Sequence, residues 1–159
     1  MGQLHYTTGD IFQSDAQVLV NPVNCRGVMG AGLALAFKQR YPEMFAAYVQ
    51  ECKSGQLRIG RPMLYRANRH WILNFPTKDH WRDPAKLEYI MQGLHFLVEH
   101  YRQMGIESIA FPKLGAGLGK LPWNEVGPLM AKYLSQLECK VVIYIEEGDT
   151  AYLYVQGNE

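Results

Sequence analysis

Short apolar segments of strand length alternate along this chain with longer segments of helical periodicity. Residues 16–20 (AQVLV), 107–111 (ESIAF) and 140–145 (KVVIYI) are compact apolar runs that are typical of fully buried strands. Apolar residues at helical spacing fill 84–101 and 123–137, the stretches that separate the later strands. This alternation predicts an α/β fold whose sheet is largely parallel and covered by helices on both faces.

Weaker signals complete the pattern. Pro42 suits the first turn of a helix and Gly55 suits the position after a last turn, so a helix is predicted between them. The other predicted elements are a first strand at 4–8, a helix over 30–40, an antiparallel strand pair at 62–66 and 70–75, and a short last strand at 151–155. No linker or repeat interrupts them, so we predict one domain over 1–155 and a tail at 156–159.

Composition narrows the class of protein. The chain has 159 residues, of which 48% are hydrophobic and 19% charged, as in a domain with one core. A net charge of +1 argues against a strongly basic nucleic-acid binder, although a local basic face remains possible. No apolar run reaches the roughly 18–20 residues of a membrane span, and the start lacks a signal-peptide pattern, so we expect a cytoplasmic monomer. The cysteines and histidines are scattered, and no metal site or cofactor is predicted.

Two loops rich in small residues directly follow predicted strands, at 21–32 (NPVNCRGVMGAG) and 112–122 (PKLGAGLGKLP). In open α/β sheets, ligands bind outside the carboxyl ends of the strands, and glycine permits a close approach to the backbone. Backbone N–H groups near a helix start bind anions without a formal charge. We therefore predict that the two loops face one cleft and hold a diphosphate, the alternative for either loop being a simple tight turn.

Neither loop matches the common phosphate motifs. A P-loop requires GxxxxGK followed by Ser or Thr, but Gly115 and Gly119 are one residue too close and Leu121 follows Lys120. A dinucleotide fingerprint requires GxGxxG, but its third glycine is replaced by Leu35 in the first loop and by Lys120 in the second. These mismatches argue against kinase and Rossmann functions.

Taken together, the motifs resemble the macrodomain family, whose members have a three-layer α/β/α fold with a mixed, largely parallel central sheet and bind ADP-ribose. The resemblance rests on GDIF at 9–12, VLVNPVN at 18–24, GVMGAGLALAFK at 27–38 and FPKLGAGLGKLPW at 111–123. The segment NFPTKDHWRDPAKLEYI at 74–90 is most similar to macrodomains of the DarG antitoxin type, which are DNA ADP-ribosyl glycohydrolases related to terminal ADP-ribose protein glycohydrolase.

This resemblance implies where ADP-ribose would bind. Asp10 would accept the adenine amino group, Tyr144 would lie near adenine, and Asn24 with Asn21 would contact the distal ribose. From the residues alone, Asp10 could equally be a turn or cap residue, the asparagines could tie down the loop, and Tyr144 could pack in the core. The implied contacts are Gly9, Asp10, Ile11, Asn21, Asn24, Val28, Met29, Gly30, Ala31, Gly32, Leu33, Pro112, Leu114, Gly115, Ala116, Gly117, Leu118, Gly119 and Tyr144.

Lys78, within NFPTKDHWR, matches the catalytic lysine of the related glycohydrolases, and Asn21 would assist it. Departure of a base from ribose C1 has oxocarbenium character, and ring opening exposes an aldehyde that an amine can trap as a Schiff base. A lysine near a dry cleft loses its proton more easily. Whether Lys78 acts covalently or by charge and proton transfer stays open, and without the family it would be taken for a solvated surface residue.

One position departs from the related human enzyme. The resemblance places an assisting aspartate where this chain has Gly119, which argues against a protein-linked glutamate substrate and agrees with the DarG pattern, thymidine in DNA. Basic and aromatic residues around the lysine fit an unpaired strand, with packing as the alternative for the tryptophan. The predicted DNA contacts are Thr77, Lys78, His80, Trp81 and Arg82.

Three functions follow from these observations. The first is a DNA ADP-ribosyl glycohydrolase that acts as the antitoxin of a DNA ADP-ribosylating toxin, with ADP-ribosylated DNA, ADP-ribose and the cognate toxin as partners. The second is a reader module that binds ADP-ribose without turnover, and the third is an ADP-ribose 1″-phosphate phosphatase. The effect of replacing Lys78 separates the first from the second, and phosphate release identifies the third.

Overall fold

The computed structural model describes residues 3–155, which form one sheet between two layers of helices; the predicted tail at 156–159 lies outside the described residues. In chain order the elements are β1 (Gln3–Thr7), β2 (Val18–Val23), α1 (Gly32–Arg40), α2 (Pro42–Ser54), β3 (Met63–Arg66), β4 (Trp71–Pro76), α3 (Leu87–His100), β5 (Ser108–Phe111), α4 (Trp123–Leu134) and β6 (Lys140–Tyr144). None of the helices in this part of the chain is long and apolar enough to cross a membrane.

The strands lie in the order β1-β6-β5-β2-β4-β3. All neighbours in this order run parallel except β3 and β4, which form the predicted antiparallel pair. The mixed, largely parallel sheet is therefore confirmed. Because five strands point the same way, their carboxyl ends meet at one edge of the sheet.

Each face of the sheet carries its own core. Helices α3 and α4 cover one face, where Val20, Leu73 and Ile109 are buried, and helices α1 and α2 cover the other, where Leu19 and Ile72 are buried. Successive residues of a strand point to opposite faces, so a strand in the centre of the sheet must be apolar throughout. The predicted three-layer architecture is confirmed.

Two predicted helix boundaries behave differently. Helix α2 begins at Pro42 and is followed by Gly55 at a φ of +78°, as predicted. Helix α3 begins at Leu87, whereas the periodicity suggested Pro84. Lys86 is extended, and the backbone N–H of Ala85 donates to the carbonyl of Gly119 at 3.0 Å, so this stretch is held by the second loop and not by a helix.

Three strand predictions need correction. Strand β2 extends through Asn21 and Pro22 to Val23. Its pairing with β5 ends at Leu19, so Pro22 lies in the part of the strand that pairs with β4 alone. Strand β6 alternates between buried and partly exposed residues, so it is not fully buried. Residues 151–155 form no strand: within them, Tyr152 packs on a helix α4 tryptophan and its carbonyl accepts from a tyrosine hydroxyl of β1, side-chain contacts that build no ladder.

Candidate functional site

A cleft of about 830 Å³ runs along the sheet edge where the five parallel strands end. Because neighbouring strands lie about 4.8 Å apart, the ends of β1, β6, β5, β2 and β4 span roughly 19 Å. The cleft lining contains these predicted site residues: Gly9, Asp10, Ile11, Asn24, Val28, Gly30, Ala31, Gly32, Leu33, Thr77, Lys78, Trp81, Pro112, Gly115, Ala116, Gly117, Leu118, Gly119 and Tyr144. Both glycine loops thus border one cleft.

Three of the predicted contacts lie beneath the cleft instead of lining it. Asn21, Met29 and Leu114 are at most 1% exposed. The Asn21 amide donates to Asn74 Oδ1 at 3.1 Å and lies 3.7 Å from the Met29 sulfur. Because β2 continues through Asn21, its side chain points to the α1–α2 face and not to the sheet edge. These three residues therefore do not line the cleft, although the buried Asn21 Oδ1 has no hydrogen-bond partner among the described residues. Their assignment as ligand contacts, and the catalytic role of Asn21, stay predictions.

The first loop is fixed by the side chain of Asn24. Its Oδ1 accepts from the backbone N–H of Arg26 at 2.9 Å, and its Nδ2 donates to the carbonyl of Val28 at 2.8 Å. The hydroxyl of Tyr48 also lies 2.9 Å from Oδ1. These bonds hold the turn in shape. Asn24 therefore ties down the loop, which is the alternative role that the sequence suggested, and it also lines the cleft.

The second loop reaches across to the first. Leu118 is 61% exposed, yet a Cβ on Gly32 would lie only 2.8 Å from its Cδ1 atom. Gly32 and Gly115 also have φ angles of +57° and +69°, a region that favours glycine. The backbone conformation therefore favours glycine at both positions, where the two loops converge.

Gly119 has no room for any side chain. A Cβ there would lie 2.6 Å from the carbonyl oxygen of Gly115 and 2.8 Å from the Cβ of Ala85. The aspartate of the related human pattern could not be accommodated without moving the backbone. A catalytic acid is thus sterically excluded from this position.

The catalytic lysine predicted from sequence lies at the β4 end of the cleft. Lys78 is the first residue of a loop between Thr77 and Lys86, which we call the excursion. The Lys86 N–H donates to the Thr77 carbonyl at 3.3 Å and closes the base of this loop. Thr77 is itself anchored, because its N–H donates to Val23 at 2.9 Å. The Lys78 ammonium donates to the carbonyl of Trp81 at 3.2 Å and lines the cleft. A cation is therefore held next to the end of β2.

Asp79 connects the excursion to the first loop through two hydrogen bonds. The Cys25 N–H donates to the Asp79 carbonyl at 2.9 Å, and the Arg26 guanidinium donates to its carboxylate at 3.0 Å. Burial, and then the charge of Asp79, raises the pKa of the Cys25 thiol to about 12, which disfavours the reactive thiolate form. These contacts fix the position of Lys78 relative to Asn24.

Aromatic and basic groups form a rim beside the lysine. Trp81 is 43% exposed and lines the cleft, its ring stacked at 5.2 Å on His80 and covered by the Arg82 guanidinium at 4.6 Å. His80 and Arg82 are outside the cleft lining itself. Trp81 thus presents a ring at the mouth of the cleft instead of packing in the core.

At the opposite end of the cleft lie the residues that follow β1 and β6. The carboxylate of Asp10 accepts from the N–H of Phe12 at 3.0 Å and caps the short 3₁₀ turn Ile11–Gln13. The cap role weighed from sequence is therefore present, and the residue also lines the cleft beside Tyr144. The two ends of the cleft thus differ: carboxylate and phenol at one, lysine and tryptophan at the other.

Sequence reasoning missed an ion-pair cluster at the β6 end. The Lys113 ammonium lies 2.8 Å from Asp149 and 3.5 Å from Glu146, and both Lys113 and Glu146 line the cleft. Partial burial lowers the pKa of Lys113, but its bond to Asp149 and the charges of both carboxylates outweigh that effect and raise it. The sequence feature that could have identified this cluster is the position of Lys113 directly after β5 and of Glu146 directly after β6. Other lining residues not predicted are Pro22, Val23, Ala34 and Ile145.

The comparison with known families agrees with this geometry. The family profile named "Macro domain" matches residues 20–130, which include both glycine loops and the excursion that carries Lys78. The chain therefore belongs to the macrodomain family.

Within that family the chain is of the DarG type. The solved macrodomain of Mycobacterium tuberculosis DarG is 44% identical, with a TM-score of 0.87 over 92% of this chain and 100% of that one. A curated Mycobacterium tuberculosis protein named DNA ADP-ribosyl glycohydrolase is 45% identical over 148 residues, which are 90% of this chain and 42% of that protein. A structure described as Thermosipho africanus DarTG in complex with ADP-ribose is 40% identical, with a TM-score of 0.87 over 93% of this chain and 43% of that one. This chain thus spans about two fifths of the length of such curated relatives.

Proposed function

We propose that this chain is a DNA ADP-ribosyl glycohydrolase that removes ADP-ribose from a base, thymidine in the first instance, in single-stranded DNA. In this role it is the antitoxin that reverses a DNA ADP-ribosylating toxin. The names of its relatives support the activity, and one observation of the structure carries it: a lysine and an exposed tryptophan stand at one end of a cleft long enough for a dinucleotide-like ligand.

The order of the strands supports one direction for the ligand. Adenosine would lie by Asp10 and Tyr144 after β1 and β6, and the diphosphate by the glycine loops after β5 and β2. The distal ribose would then lie between Asn24 and Lys78, at the β4 end. Its attached base would point out of the cleft toward Trp81, whose partly exposed ring can contact an unpaired base beside His80 and Arg82.

Two roles of Lys78 fit this placement. In the first, its ammonium donates a proton to the base as the C1–N bond breaks and the bonding electron pair goes to the base; water then adds hydroxide to C1 and returns a proton to the amine. In the second, the neutral amine bonds to C1 as the C1–N bond breaks, and the base departs with the electron pair and takes up one amine proton. The bond from C1 to the ring oxygen then breaks and that oxygen takes up the second amine proton, which leaves a Schiff base; water hydrolyses it to free amine and ADP-ribose.

Replacing Lys78 tests the proposal. In Lys78→Ala, release of ADP-ribose from single-stranded DNA carrying ADP-ribosyl-thymidine should fall by roughly 10²–10⁴-fold, because the proton donor or nucleophile is gone. Binding of free ADP-ribose should change little, since Lys78 contacts only one end of the ligand. Lys86→Ala is the matched control, because Lys86 is an exposed lysine of the same excursion that does not line the cleft.

Other outcomes would support the rival functions. A native chain that binds ADP-ribose but releases none from DNA would be a reader module. Phosphate release from ADP-ribose 1″-phosphate, with indifference to DNA, would make it a phosphatase. Borohydride added during turnover separates the two roles of Lys78, because only a Schiff base is reduced to a stable adduct whose mass includes ADP-ribose.

A further inference from the structure

A second depression, which we call the α3 groove, lies on the outer surface of helix α3. It has a volume of about 570 Å³ and shares no lining residue with the ADP-ribose cleft. Its walls are the segment 58–61, the exposed face of α3 from Met91 to His100, and Tyr133 of α4. None of these residues has a part in the function proposed above.

The charge of the groove is positive. Arg58 and Arg61 are exposed on one wall, and the lining contains a single carboxylate, that of Glu99. His95 Nε2 lies 3.6 Å from that carboxylate, so the acid already has a neighbour within the groove. Arg58 is steadied by a bond from its guanidinium to the Gly55 carbonyl at 2.9 Å. The groove therefore favours an anion along the 58–61 wall.

Flat rings line the floor and the other wall. The Phe96 and His100 rings stack at 4.1 Å with an angle of 20°, and Arg61 lies 5.2 Å from the Phe96 centroid. His95 meets the Tyr133 ring edge-on at 6.4 Å. These rings hold one another in place in the lining of the groove. Cations beside fixed ring faces are the combination that binds single-stranded nucleic acid, with phosphates on the cations and bases on the rings.

We propose that the α3 groove binds the single-stranded DNA that flanks the modified base; this inference rests on the proposed function. The groove begins at Met91, four residues after the helix start at Leu87, which is about 6 Å along the helix axis. Leu87 directly follows the excursion that carries Lys78. A strand leaving the cleft beside Trp81 thus reaches the groove within a few nucleotides. An acidic peptide could bind the two arginines, but its recognition would not explain the aromatic rings of the lining.

The test compares substrates of two lengths. ADP-ribosyl-thymidine is presented in a dinucleotide and in a single strand of about 20 nucleotides, to the native chain and to Arg58→Gln/Arg61→Gln. In the double variant the KM of the long substrate should rise about fivefold at low salt, and the slope of log affinity against log salt should weaken by about 1.4, as expected for two lost phosphate contacts. The kcat, and both constants for the dinucleotide, should not change.

The control is Arg69→Gln/Lys140→Gln, which removes the same charge from exposed residues at the opposite, amino-terminal edge of the sheet. Equal losses in the two double variants, or an unchanged KM and salt slope in the groove variant, would overturn the proposal. So would tight binding of an acidic peptide that an unmodified strand cannot displace. If the native chain hydrolyses neither substrate, the proposed function fails, while binding of the unmodified strand to the two double variants still decides the role of the groove.

Discussion

A single absent side chain, that of Gly119, limits the chemistry of this cleft. We expect Gly119→Ala to lower the free energy of unfolding by about 1–3 kcal/mol, because its methyl group would meet the Gly115 carbonyl oxygen at 2.6 Å, where only backbone movement can relieve the overlap. Urea unfolding of the ligand-free chain measures the loss.

Gly117→Ala is the matched comparison for that measurement. Gly117 belongs to the same loop, has no positive φ, and has nothing within 4 Å of a Cβ placed on it. Its unfolding free energy should therefore stay within about 0.5 kcal/mol of the native value. If both alanines cost the same, the tight packing at 119 is not what sets the loop conformation.

At the scale of elements, the turn after β6 is held to the loop after β5 by Lys113. Lys113→Met should weaken ADP-ribose binding by about two- to tenfold, because Glu146 and the turn that carries it would no longer be fixed against the cleft. Isothermal titration with ADP-ribose measures this change. Lys132→Met, an exposed lysine on α4, should leave the affinity unaltered, and a matching loss there would contradict the assignment.

The same turn should give the chain a pH-dependent contribution to stability. Bonds from the Lys113 ammonium and from the Glu146 N–H hold the pKa of Asp149 below its ordinary value. A group whose pKa is lowered by folding stabilises the fold while it is ionised, and this contribution is lost as the pH falls through the folded-state pKa. The stability lost in Asp149→Asn should thus be constant from about pH 7 to 5 and shrink below about pH 4.

Urea unfolding of the native chain and of Asp149→Asn at a series of pH values follows this difference. Asp15→Asn, in an exposed aspartate of another loop, provides the reference for a change of charge alone. A stability difference that persisted unchanged to pH 3 would contradict the ionic role of Asp149.

Local signals predicted the elements well but not where they end. Helix α2 follows its proline and glycine, which act through the backbone of the helix itself. The start of α3 depends on a bond from Ala85 to Gly119, 34 residues away, which no local pattern contains. Asn21 was misplaced for a related reason: a polar residue after an apolar run was taken for the first residue of a loop, whereas the strand continues and buries it opposite Asn74.

The cleft could be predicted from the sequence as far as the ends of the strands could be predicted. Residues after strands β2 and β5 were assigned to one site, and the sheet places those strands side by side. The contribution of Lys113 depends on carboxylates beyond β6, so it becomes visible only once β6 is known to lie beside β5. Motif resemblance supplied Lys78, which spacing and composition alone would have left on the surface.

For the molecule as a whole, a ligand that spans five strand ends should stabilise the entire domain. At a free concentration one hundred times its Kd, ADP-ribose should raise the free energy of unfolding by about 2.7 kcal/mol. Thermal unfolding with and without ligand measures this in the native chain. Lys78→Ala should retain the shift, because the ligand is held mainly elsewhere along the edge, and a shift lost with Lys78 would mean that the lysine is a binding residue first.

The order of the segments along the cleft differs from their order along the chain. The β1 end, where Asp10 lies, is completed by β6, the last strand of the described chain, while Lys78 and Trp81 at the other end both precede α3 in sequence. A nascent chain emerging from a ribosome would therefore possess its lysine and tryptophan long before it could hold a nucleoside beside Asp10. We therefore expect capture of ADP-ribose to require synthesis past residue 146, when β1 and β6 can pair.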